Sequence, residues 1–411
     1  MTEKYNTIII GGGQAGLITS YLLKKSNIHH SILEQAEKPA FSWREQRWDS
    51  FCFVIPNWAL EFPGGSYRDL GLQPDDFILK EDILKFFEQY ITKHELPIQF
   101  NQKVTEVVQK NTKWYIKTES RTYECEHVVV ATGFFHKVKI PSFASKISPH
   151  IVQLDVTTYK NPNQLSKGPV LIIGSGQSGM QITQELLETG IKVYLSIGST
   201  GRIPRRYRGN DTFKWLVETG FFEKPVNQLS DLKMRNKSNP QVSGRNGGLT
   251  VNLHDFYAQG VTLLGHVSEA TATSVKLSPD VQERLQKNDD LEKQILNMID
   301  SYILKNNIKV PEEKVIHLTD GYEQEVLTEL DLEKTGIKTI IWTCGFDRDY
   351  SIIQTETPIV DDMGYPIQTR GISPHKGLYF IGMPWIHTAS SGFVLHVGRD
   401  AEYLSKTIIQ S

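Results

Sequence analysis

Two short glycine-rich segments carry the residue types and spacing needed to grip a phosphate. Both fit the pattern G-x-G-x-x-G, one at residues 11–16 and one at residues 174–179. Each follows an apolar run suited to a buried parallel strand and precedes a helix-forming stretch. The first glycine allows a tight turn, the second lets a pyrophosphate approach the backbone, and the third lets helix pack on strand. The segments begin 163 residues apart (11 to 174) and therefore predict two dinucleotide sites, with these contact residues: Gly11, Gly13, Gln14, Ala15, Gly16, Gly174, Gly176, Gln177, Ser178 and Gly179.

The residues after each segment predict which nucleotide it binds. Glu34, followed by Gln35, ends an apolar strand 18 residues after the first segment (16 to 34), near the spacing of about 20 typical of a ribose-binding carboxylate. The corresponding strand at residues 192–198 ends without an acid, and Ser199 and Arg202 follow it. A carboxylate would repel a 2′-phosphate, whereas a hydroxyl and a guanidinium would bind it. The first site thus suits an adenosine without a 2′-phosphate and the second suits NADPH, unless Arg202 lies in a solvated loop or an interdomain salt bridge.

Composition excludes several classes of protein. The 411 residues hold 45 Lys and Arg against 47 Asp and Glu, a net charge of −2 that argues against a nucleic-acid partner. No apolar stretch reaches the roughly 18 residues of a membrane span. The three cysteines are far apart, and the histidines and cysteines show no metal-ligand spacing. The first strand leaves no room for a secretory signal, so a cytoplasmic protein without metal or membrane partner is expected.

The pattern of apolar residues indicates an α/β protein whose elements position these sites. Alternation at residues 104–123 predicts an antiparallel meander. Prolines at residues 141–169 predict a linker into the second nucleotide domain. Residues 210–320 exceed what that domain requires and include a predicted long helix at 279–306. A last helix is predicted from about residue 392.

The order of these features resembles a known family. Two turns, Ala131-Thr132-Gly133-Phe134 and Thr343-Cys344-Gly345-Phe346, flank the second nucleotide unit, and a strand at residues 378–382 closes the chain. This layout resembles the two-dinucleotide-binding-domain flavoproteins, and among them the class B flavin monooxygenases: flavin-containing, Baeyer–Villiger and YUCCA-type enzymes. The resemblance covers nearly the whole chain except residues 210–320. It implies two Rossmann-like domains, with an NADPH-binding domain (166–334) inserted into an FAD-binding domain (1–165 and 335–411).

The resemblance also implies further site residues. Both turns would bring backbone close to the cofactors, unless their glycines serve ordinary turns. Asn57 corresponds to an asparagine near the flavin C4a edge, where its amide could hydrogen-bond a peroxide. Trp43 and Trp48 would pack on a flavin or adenine ring, unless they are core aromatics, while Arg44 reaches a phosphate. The remaining cofactor contacts expected are Val104, Ala131, Thr132, Gly133, Cys344, Gly345, Gly382 and Ser391, the last at the start of the final helix, whose N–H groups suit the charge on reduced flavin.

One signature of the family fits badly. Class B monooxygenases carry F-x-G-x-x-x-H-x-x-x-(F/Y/W) before the second fingerprint, and the matching register here is residues 149–159. Tyr159 fits, whereas Asp155 replaces the histidine. In the family this segment orients NADP and links its movement to oxygen chemistry. Asp155 and Tyr159 are therefore candidate catalytic residues, with a plain linker acid as the alternative for Asp155.

The resemblance implies an FAD-dependent, NADPH-using monooxygenase. Such an enzyme forms a C4a-(hydro)peroxyflavin with molecular oxygen and oxygenates the nitrogen, sulfur or carbonyl carbon of a small molecule. The Asp155 departure keeps a second function open: an NADPH-dependent flavin oxidoreductase or oxidase that passes electrons to a quinone, a carrier or oxygen. Assembly as a homodimer is left open.

Overall fold

The computed structural model describes residues 2–411, which form helices and strands of the following bounds. The helices are α1 (Gln14–Lys25), α2 (Phe41–Arg44), α3 (Lys80–His94), α4 (Gln177–Glu188), α5 (Thr212–Glu218), α6 (Leu253–Ala258), α7 (Val281–Lys305) and α8 (Val397–Gln410). The strands are β1 (Thr2–Ile10), β2 (His30–Leu33), β3 (Glu61–Phe62), β4 (Gly65–Ser66), β5 (Ile98–Gln99), β6 (Val104–Lys110), β7 (Lys113–Thr118), β8 (Thr122–Val130), β9 (Lys137–Val138), β10 (Val152–Asp155), β11 (Val170–Ile173), β12 (Val193–Ser196), β13 (Arg206–Tyr207), β14 (Asn210–Asp211), β15 (Thr262–Leu264), β16 (Val267–Ala270), β17 (Ser274–Leu277), β18 (Glu329–Asp331), β19 (Thr339–Trp342), β20 (Phe346–Asp347), β21 (Ile353–Gln354) and β22 (Leu378–Phe380).

The first sheet holds the strand that leads into the first glycine segment. Its order is β21-β6-β7-β8-β1-β2-β5, with β22 also paired to β8. Strands β1, β2, β5, β8 and β22 are parallel to one another, and β6, β7 and β8 form the predicted antiparallel meander. The last part of the meander and the returning strand are one continuous element, β8. The buried carboxyl half of β1 places the glycine segment at the carboxyl edge of the parallel strands, where ligands bind in such sheets.

The second sheet repeats this plan and is wholly parallel. Its order is β10-β19-β11-β12-β15. The α/β fold with two Rossmann-like units is therefore confirmed.

The predicted domain bounds of 166 and 334 need a correction at both ends. β10 lies in the predicted linker and β19 in the predicted FAD domain, yet both belong to the second sheet. The cause is packing: every residue of β19 is buried, and β19 pairs with β10 on one side and β11 on the other. The second domain thus spans roughly residues 150–343. Strands β9 and β20 pair across the two chain crossings between the domains.

The surplus segment forms a cover over the first domain, which we call the cap, comprising residues 203–247 and α7. The predicted long helix is confirmed as α7. Buried apolar side chains of α5 and α7, including Phe213 and Ile299, cluster with Ala59 of the first domain and pack against Trp58 and Phe393. Within residues 2–411, no helix is long and apolar enough to span a membrane.

The last helix begins later than predicted. α8 starts at Val397, and residues 391–396 form turns. The Oγ of Ser391 accepts hydrogen bonds from the backbone N–H groups of His387 (3.0 Å) and Thr388 (3.1 Å), which holds the chain in a turn. Ser391 therefore does not lie at a helix N-terminus, and the predicted start of the last helix at about residue 392 is wrong.

Candidate cofactor-binding site

The first glycine segment has the geometry of a phosphate loop. A Cβ at Gly11, whose φ is +110°, would lie 2.7 Å from the carbonyl oxygen of Ala131, and one at Gly16 would lie 2.0 Å from the carbonyl oxygen of Gly11. Gly13 is different, because a Cβ there would meet no protein atom within 4 Å and its φ of −88° is ordinary. α1 then begins with no side chain capping its N-terminus, which leaves its first N–H groups for an anion. The protein itself requires Gly11 and Gly16, and the open side of Gly13 suits a ligand.

Glu34 closes this loop at the end of β2. Its Oε2 accepts a hydrogen bond from the backbone N–H of Gly12 at 2.7 Å, and its Oε1 accepts one from that of Ala36 at 3.0 Å. The side chain is buried, and desolvation raises the pKa of its carboxyl despite these hydrogen bonds. Gln35, the next residue, is exposed. The carboxylate that would hold a ribose is thus fixed beside the loop.

The aromatic segment that begins in α2 places its three predicted site residues in different surroundings. Trp43 stacks on Phe53, with ring centroids 4.7 Å apart and planes at 23°. Trp48 is buried in the apolar core of the second domain, in agreement with the core alternative. The Nη2 of Arg44 donates to the carboxylate of Glu88 on α3 at 2.7 Å, whereas its Nε is buried and has no partner among residues 2–411.

The amide oxygens of Gln14, in the first loop, and of Asn57 are buried and lack a partner among residues 2–411. The other end of the Asn57 amide donates to the carbonyl oxygen of Gln73 at 2.8 Å. Buried polar groups are normally hydrogen-bonded, so each of these oxygens could accept a hydrogen bond from a bound polar molecule. The residues present therefore fit a flavin dinucleotide, with Glu34 and the open face of Gly13 at its nucleotide end.

The two chain crossings lie against the two loops in the same way. Ala131 approaches Gly11 as Thr343 approaches Gly174, each through a carbonyl oxygen 2.7 Å from the hypothetical Cβ. Gly133 (φ +74°) and Gly345 (φ +92°) have no protein atom within 4 Å of such a Cβ. The open space beside each crossing is where a cofactor could approach the backbone.

The other predicted contacts at the crossings have protein partners. Thr132 Oγ1 lies 3.0 Å from His136 Nε2, and the thiol of Cys344 lies 3.5 Å from the carbonyl oxygen of Ile173. A Cβ at Gly382 would lie 2.6 Å from the Cβ of Ala15, so this glycine lets the closing strand approach α1. Val104 begins β6 and is half-buried.

The second glycine segment repeats the backbone geometry but contacts the cap. Gly174 has a φ of +109°, and a Cβ at Gly176 would meet no protein atom within 4 Å. A Cβ at Gly179 would lie 1.9 Å from the carbonyl oxygen of Gly174. The side chain of Gln177 bonds both backbone groups of Val242 in the cap, accepting from its N–H at 3.2 Å and donating to its carbonyl oxygen. Ser178 is half-buried on the first turn of α4.

Arg202 points into the protein. Only 1% of its surface is exposed, and its Nη1 donates to Asp289 at 2.6 Å while its Nε lies 2.9 Å from a carboxylate oxygen of Glu292. Burial opposes the charge on Asp289, but hydrogen bonds from His254, Tyr322 and Arg202 hold the pKa of that carboxyl below its usual range. The guanidinium thus joins the loop to α7, while Ser199 is exposed. Both partners belong to the second domain, so this salt bridge differs from the interdomain one considered from the sequence.

Asp155 and Tyr159 have structural hydrogen bonds. The Oδ1 of Asp155 accepts from the backbone N–H groups of Thr157 (2.7 Å) and Thr158 (3.1 Å), which closes the turn after β10. The hydroxyl of Tyr159 donates to Glu185 on α4 at 2.6 Å, and burial raises its pKa. The structure brings neither side chain into contact with the first loop. Asp155 here acts as a turn-closing carboxylate.

The comparisons with known proteins identify the family. The profile described as pyridine nucleotide-disulphide oxidoreductase matches residues 8–239, more than half of the chain. The chain belongs to the pyridine nucleotide-disulphide oxidoreductase family. It is 30% identical over 410 residues to an uncharacterized CzcO-like oxidoreductase of Geobacillus kaustophilus, covering 100% of this chain and 99% of that protein.

Other relatives lie among flavin enzymes. The probable indole-3-pyruvate monooxygenase YUCCA8 of Arabidopsis thaliana is 26% identical over 227 residues, or 51% of each chain. The solved flavin-containing monooxygenase of Stenotrophomonas maltophilia superposes with a TM-score of 0.68 at 18% identity, covering 100% of this chain and 99% of that one. The resemblance to class B flavin monooxygenases is confirmed. The chain is therefore an oxidoreductase that resembles flavin monooxygenases, and these comparisons support use of a flavin and a nicotinamide dinucleotide.

Disulphide chemistry, which the family name includes, does not suit the cysteines of this member. Cys52, Cys125 and Cys344 are all free. Burial raises the pKa of the Cys52 thiol to about 12 and that of Cys344 to about 11, so both are neutral at physiological pH. A redox-active pair needs a thiolate beside a second cysteine. The cysteines of the described residues therefore do not form such a pair.

Proposed function

We propose that the protein is an FAD-dependent, NADPH-using monooxygenase that inserts an atom of molecular oxygen into a small molecule. The observation that carries this proposal is the apolar cover that the cap places beside Asn57. When bound, FAD supplies electron acceptance and oxygen activation, which no side chain here provides. The protein's own part is to hold the two dinucleotides and to keep water out.

FAD would occupy the first site. The free N–H groups at the start of α1 and the open face of Gly13 suit its pyrophosphate, and Glu34 suits the ribose hydroxyls. The unpartnered oxygens of Gln14 and Asn57 offer further acceptors. NADPH would occupy the second site, with its pyrophosphate at Gly176 and the start of α4. With Arg202 held by α7, the exposed Ser199 is the remaining predicted contact for a 2′-phosphate.

The cap supports oxygenation because it would exclude water from the flavin region. Trp58, next to Asn57, packs on Phe213 of α5 with ring centroids 5.7 Å apart. The ring centroid of Phe222 in the cap lies 5.3 Å from that of Phe393. The preceding residue, Gly392, accepts a hydrogen bond through its carbonyl oxygen from the side chain of Gln14 at 2.7 Å. Exclusion of water keeps activated oxygen from being lost before it reaches the substrate. A simple electron-transfer enzyme does not require this protection.

The position of Asp155 favours the second candidate, an NADPH-dependent flavin oxidoreductase or oxidase. The family histidine is absent, and the carboxylate that replaces it is committed to the turn after β10. An enzyme lacking that histidine could reduce its flavin and pass the electrons to a quinone, a carrier or oxygen without oxygenating a substrate.

Rapid kinetics distinguishes the two candidates. The purified protein is reduced anaerobically with NADPH and then mixed with oxygen while flavin absorbance and hydrogen peroxide are followed. A monooxygenase gives a delayed return of oxidised flavin with little peroxide, and 2-oxo acids such as the indole-3-pyruvate named for the YUCCA relative are the first substrates to try. Immediate reoxidation with one peroxide per NADPH, unchanged by any substrate, would establish the oxidase instead.

A further inference from the structure

We propose that Arg47 binds an anionic oxygen group, a substrate carboxylate or a cofactor phosphate, beside the aromatic residues that follow the two chain crossings. The inference rests on the proposed function only in taking that region to hold ligands. Sequence reasoning did not single out Arg47, since nothing in its spacing marks it. The structure distinguishes it by burial, surroundings and lack of a counterion.

Aromatic rings surround the Arg47 guanidinium. Its central carbon lies 4.7 Å from the ring centre of Phe135, 5.2 Å from that of Trp43 and 5.7 Å from that of Phe51. Only 7% of the residue is exposed. Stacking on rings leaves the edge of a guanidinium, with its N–H donors, free for a planar anion.

Arg47 carries its charge without an acidic partner. The one hydrogen bond of its guanidinium within residues 2–411 runs from Nη1 to the carbonyl oxygen of Gln46, 2.8 Å away. Other buried arginines are paired with acids: Arg202 with Asp289 and Glu292, and Arg205 with Asp211. A buried charge left unpaired is costly, so a site that retains one is suited to a ligand that supplies the opposite charge.

No acidic side chain within residues 2–411 forms a salt bridge with this charge, although Asp49 and Glu45 act on the neighbouring Lys80. Desolvation lowers the pKa of Arg47 to about 10, so the guanidinium stays protonated at neutral pH. The ammonium group of Lys80 donates to the Arg47 carbonyl oxygen at 3.0 Å and adds a second cation nearby. An arriving carboxylate or phosphate would therefore meet positive charge in a partly desolvated setting, where charge-assisted hydrogen bonds are strong.

Phe135 links Arg47 to both chain crossings. Phe135 follows Gly133 by two residues, and its ring centroid lies 4.8 Å from that of Phe346, the residue after Gly345. A Cβ at either glycine would meet no protein atom within 4 Å. Through Phe135, Arg47 thus adjoins residues that follow both crossings, whose glycines leave room for a ligand.

Binding measurements on three variants test the proposal. Arg47→Met removes the charge, Arg47→Lys keeps it, and Arg206→Met is a matched control at an exposed arginine. Each protein is titrated with phenylacetate and with neutral phenylacetamide, followed by tryptophan fluorescence, which needs no flavin and to which Trp43 contributes. Flavin content after purification and the Kd of NADPH are measured in parallel.

We expect Arg47→Met to lose at least one of the three anionic ligands. Loss of one charge-assisted contact should weaken phenylacetate binding about tenfold while leaving phenylacetamide unchanged. A fall in flavin content, or in NADPH affinity, would instead identify a cofactor phosphate as the anion. Arg47→Lys, which keeps the charge but loses the planar guanidinium, should bind phenylacetate more tightly than Arg47→Met and less tightly than the wild type, and Arg206→Met should match the wild type.

Unchanged flavin content, NADPH affinity and phenylacetate binding in Arg47→Met would overturn the proposal. If that variant does not fold, Arg47→Gln, which retains polar length without charge, takes its place. A wild-type protein that binds no flavin would defeat the proposed function but leave the fluorescence titrations interpretable.

Discussion

The two dinucleotide-binding loops share one backbone and differ in what closes them. A Cβ placed on either Gly11 or Gly174 would lie 2.7 Å from a carbonyl oxygen of the opposing crossing. Gly13 and Gly176 both face open space. Glu34, from the adjoining strand, closes the first loop through Gly12. The second is closed from a distance by the cap. The short motif therefore determines the backbone that would bind phosphate, whereas residues distant in the chain determine the other contacts of each loop.

The largest expected effect comes from blocking each loop in turn. Gly13→Val and Gly176→Val place a side chain where no protein atom stands, and both positions have ordinary negative φ values of −88° and −70°. The fold should therefore survive while pyrophosphate approach is lost. We expect Gly13→Val to purify almost without FAD, and Gly176→Val to be yellow but not reduced by NADPH. Flavin absorbance and anaerobic titration with NADPH measure the two effects.

Each of the two variants, Gly13→Val and Gly176→Val, is the control for the other. If both lost FAD, the loops would not be independent, and if Gly13→Val were fully yellow with normal circular dichroism, the first site would not be the FAD site. Gly16→Val is a contrasting variant, since its Cβ would lie 2.0 Å from the Gly11 carbonyl oxygen and should prevent folding.

Arg202→Met tests the claim that the second loop is closed by ion pairing. It would leave Asp289 and Glu292 without their guanidinium, the latter with 4% of its side chain exposed. Removing one partner of a buried ion pair costs about 3–5 kcal/mol. The loss relative to wild type should shrink as pH falls, because protonation neutralises the unpaired carboxylates. Chemical denaturation at several pH values measures it.

The competing outcome for Arg202→Met follows from the phosphate role predicted from sequence. In that case stability would change little, and the ratio of NADPH to NADH affinity would fall. Adding Glu292→Gln to Arg202→Met separates the cases, since it should recover part of the stability only if the ion pair matters.

The sequence predicted the features that depend on local backbone structure. It did not predict those that depend on contacts between segments distant in the chain. The glycine segments, Glu34 and the long helix were predictable because spacing and apolar period are local signals. The assignment of β10 and β19 to the second sheet was missed because strand order is set by long-range pairing. The sequence singled out Arg202 and not Arg47, yet the structure pairs Arg202 with two carboxylates and leaves Arg47 among aromatic rings without an acidic partner.

Glu34→Gln tests the closure of the first loop. Both carboxylate oxygens accept backbone N–H groups, so an amide would turn its NH₂ toward either Gly12 or Ala36 and leave a donor facing a donor. A buried unsatisfied group costs about 1–3 kcal/mol. We expect FAD affinity to fall about tenfold through the weaker ribose contact. Equal FAD affinity in Glu34→Gln and wild type would remove Glu34 from the ribose site.

Arg44→Met should have the smallest effect. Its ion pair with Glu88 is partly exposed, with 21% and 48% of the two side chains accessible, and such pairs contribute about 0–1 kcal/mol. If this pair is the whole role of Arg44, Arg44→Met and Glu88→Gln should lower stability equally and leave FAD content unchanged. If Arg44 also reaches a flavin phosphate, only Arg44→Met should lose FAD. Glu88→Gln reports only the stability that the ion pair contributes, because Glu88 is not expected to contact FAD. Comparing the two variants therefore decides whether an arginine from outside the motif takes part in the first site, as Arg202 does near the second loop.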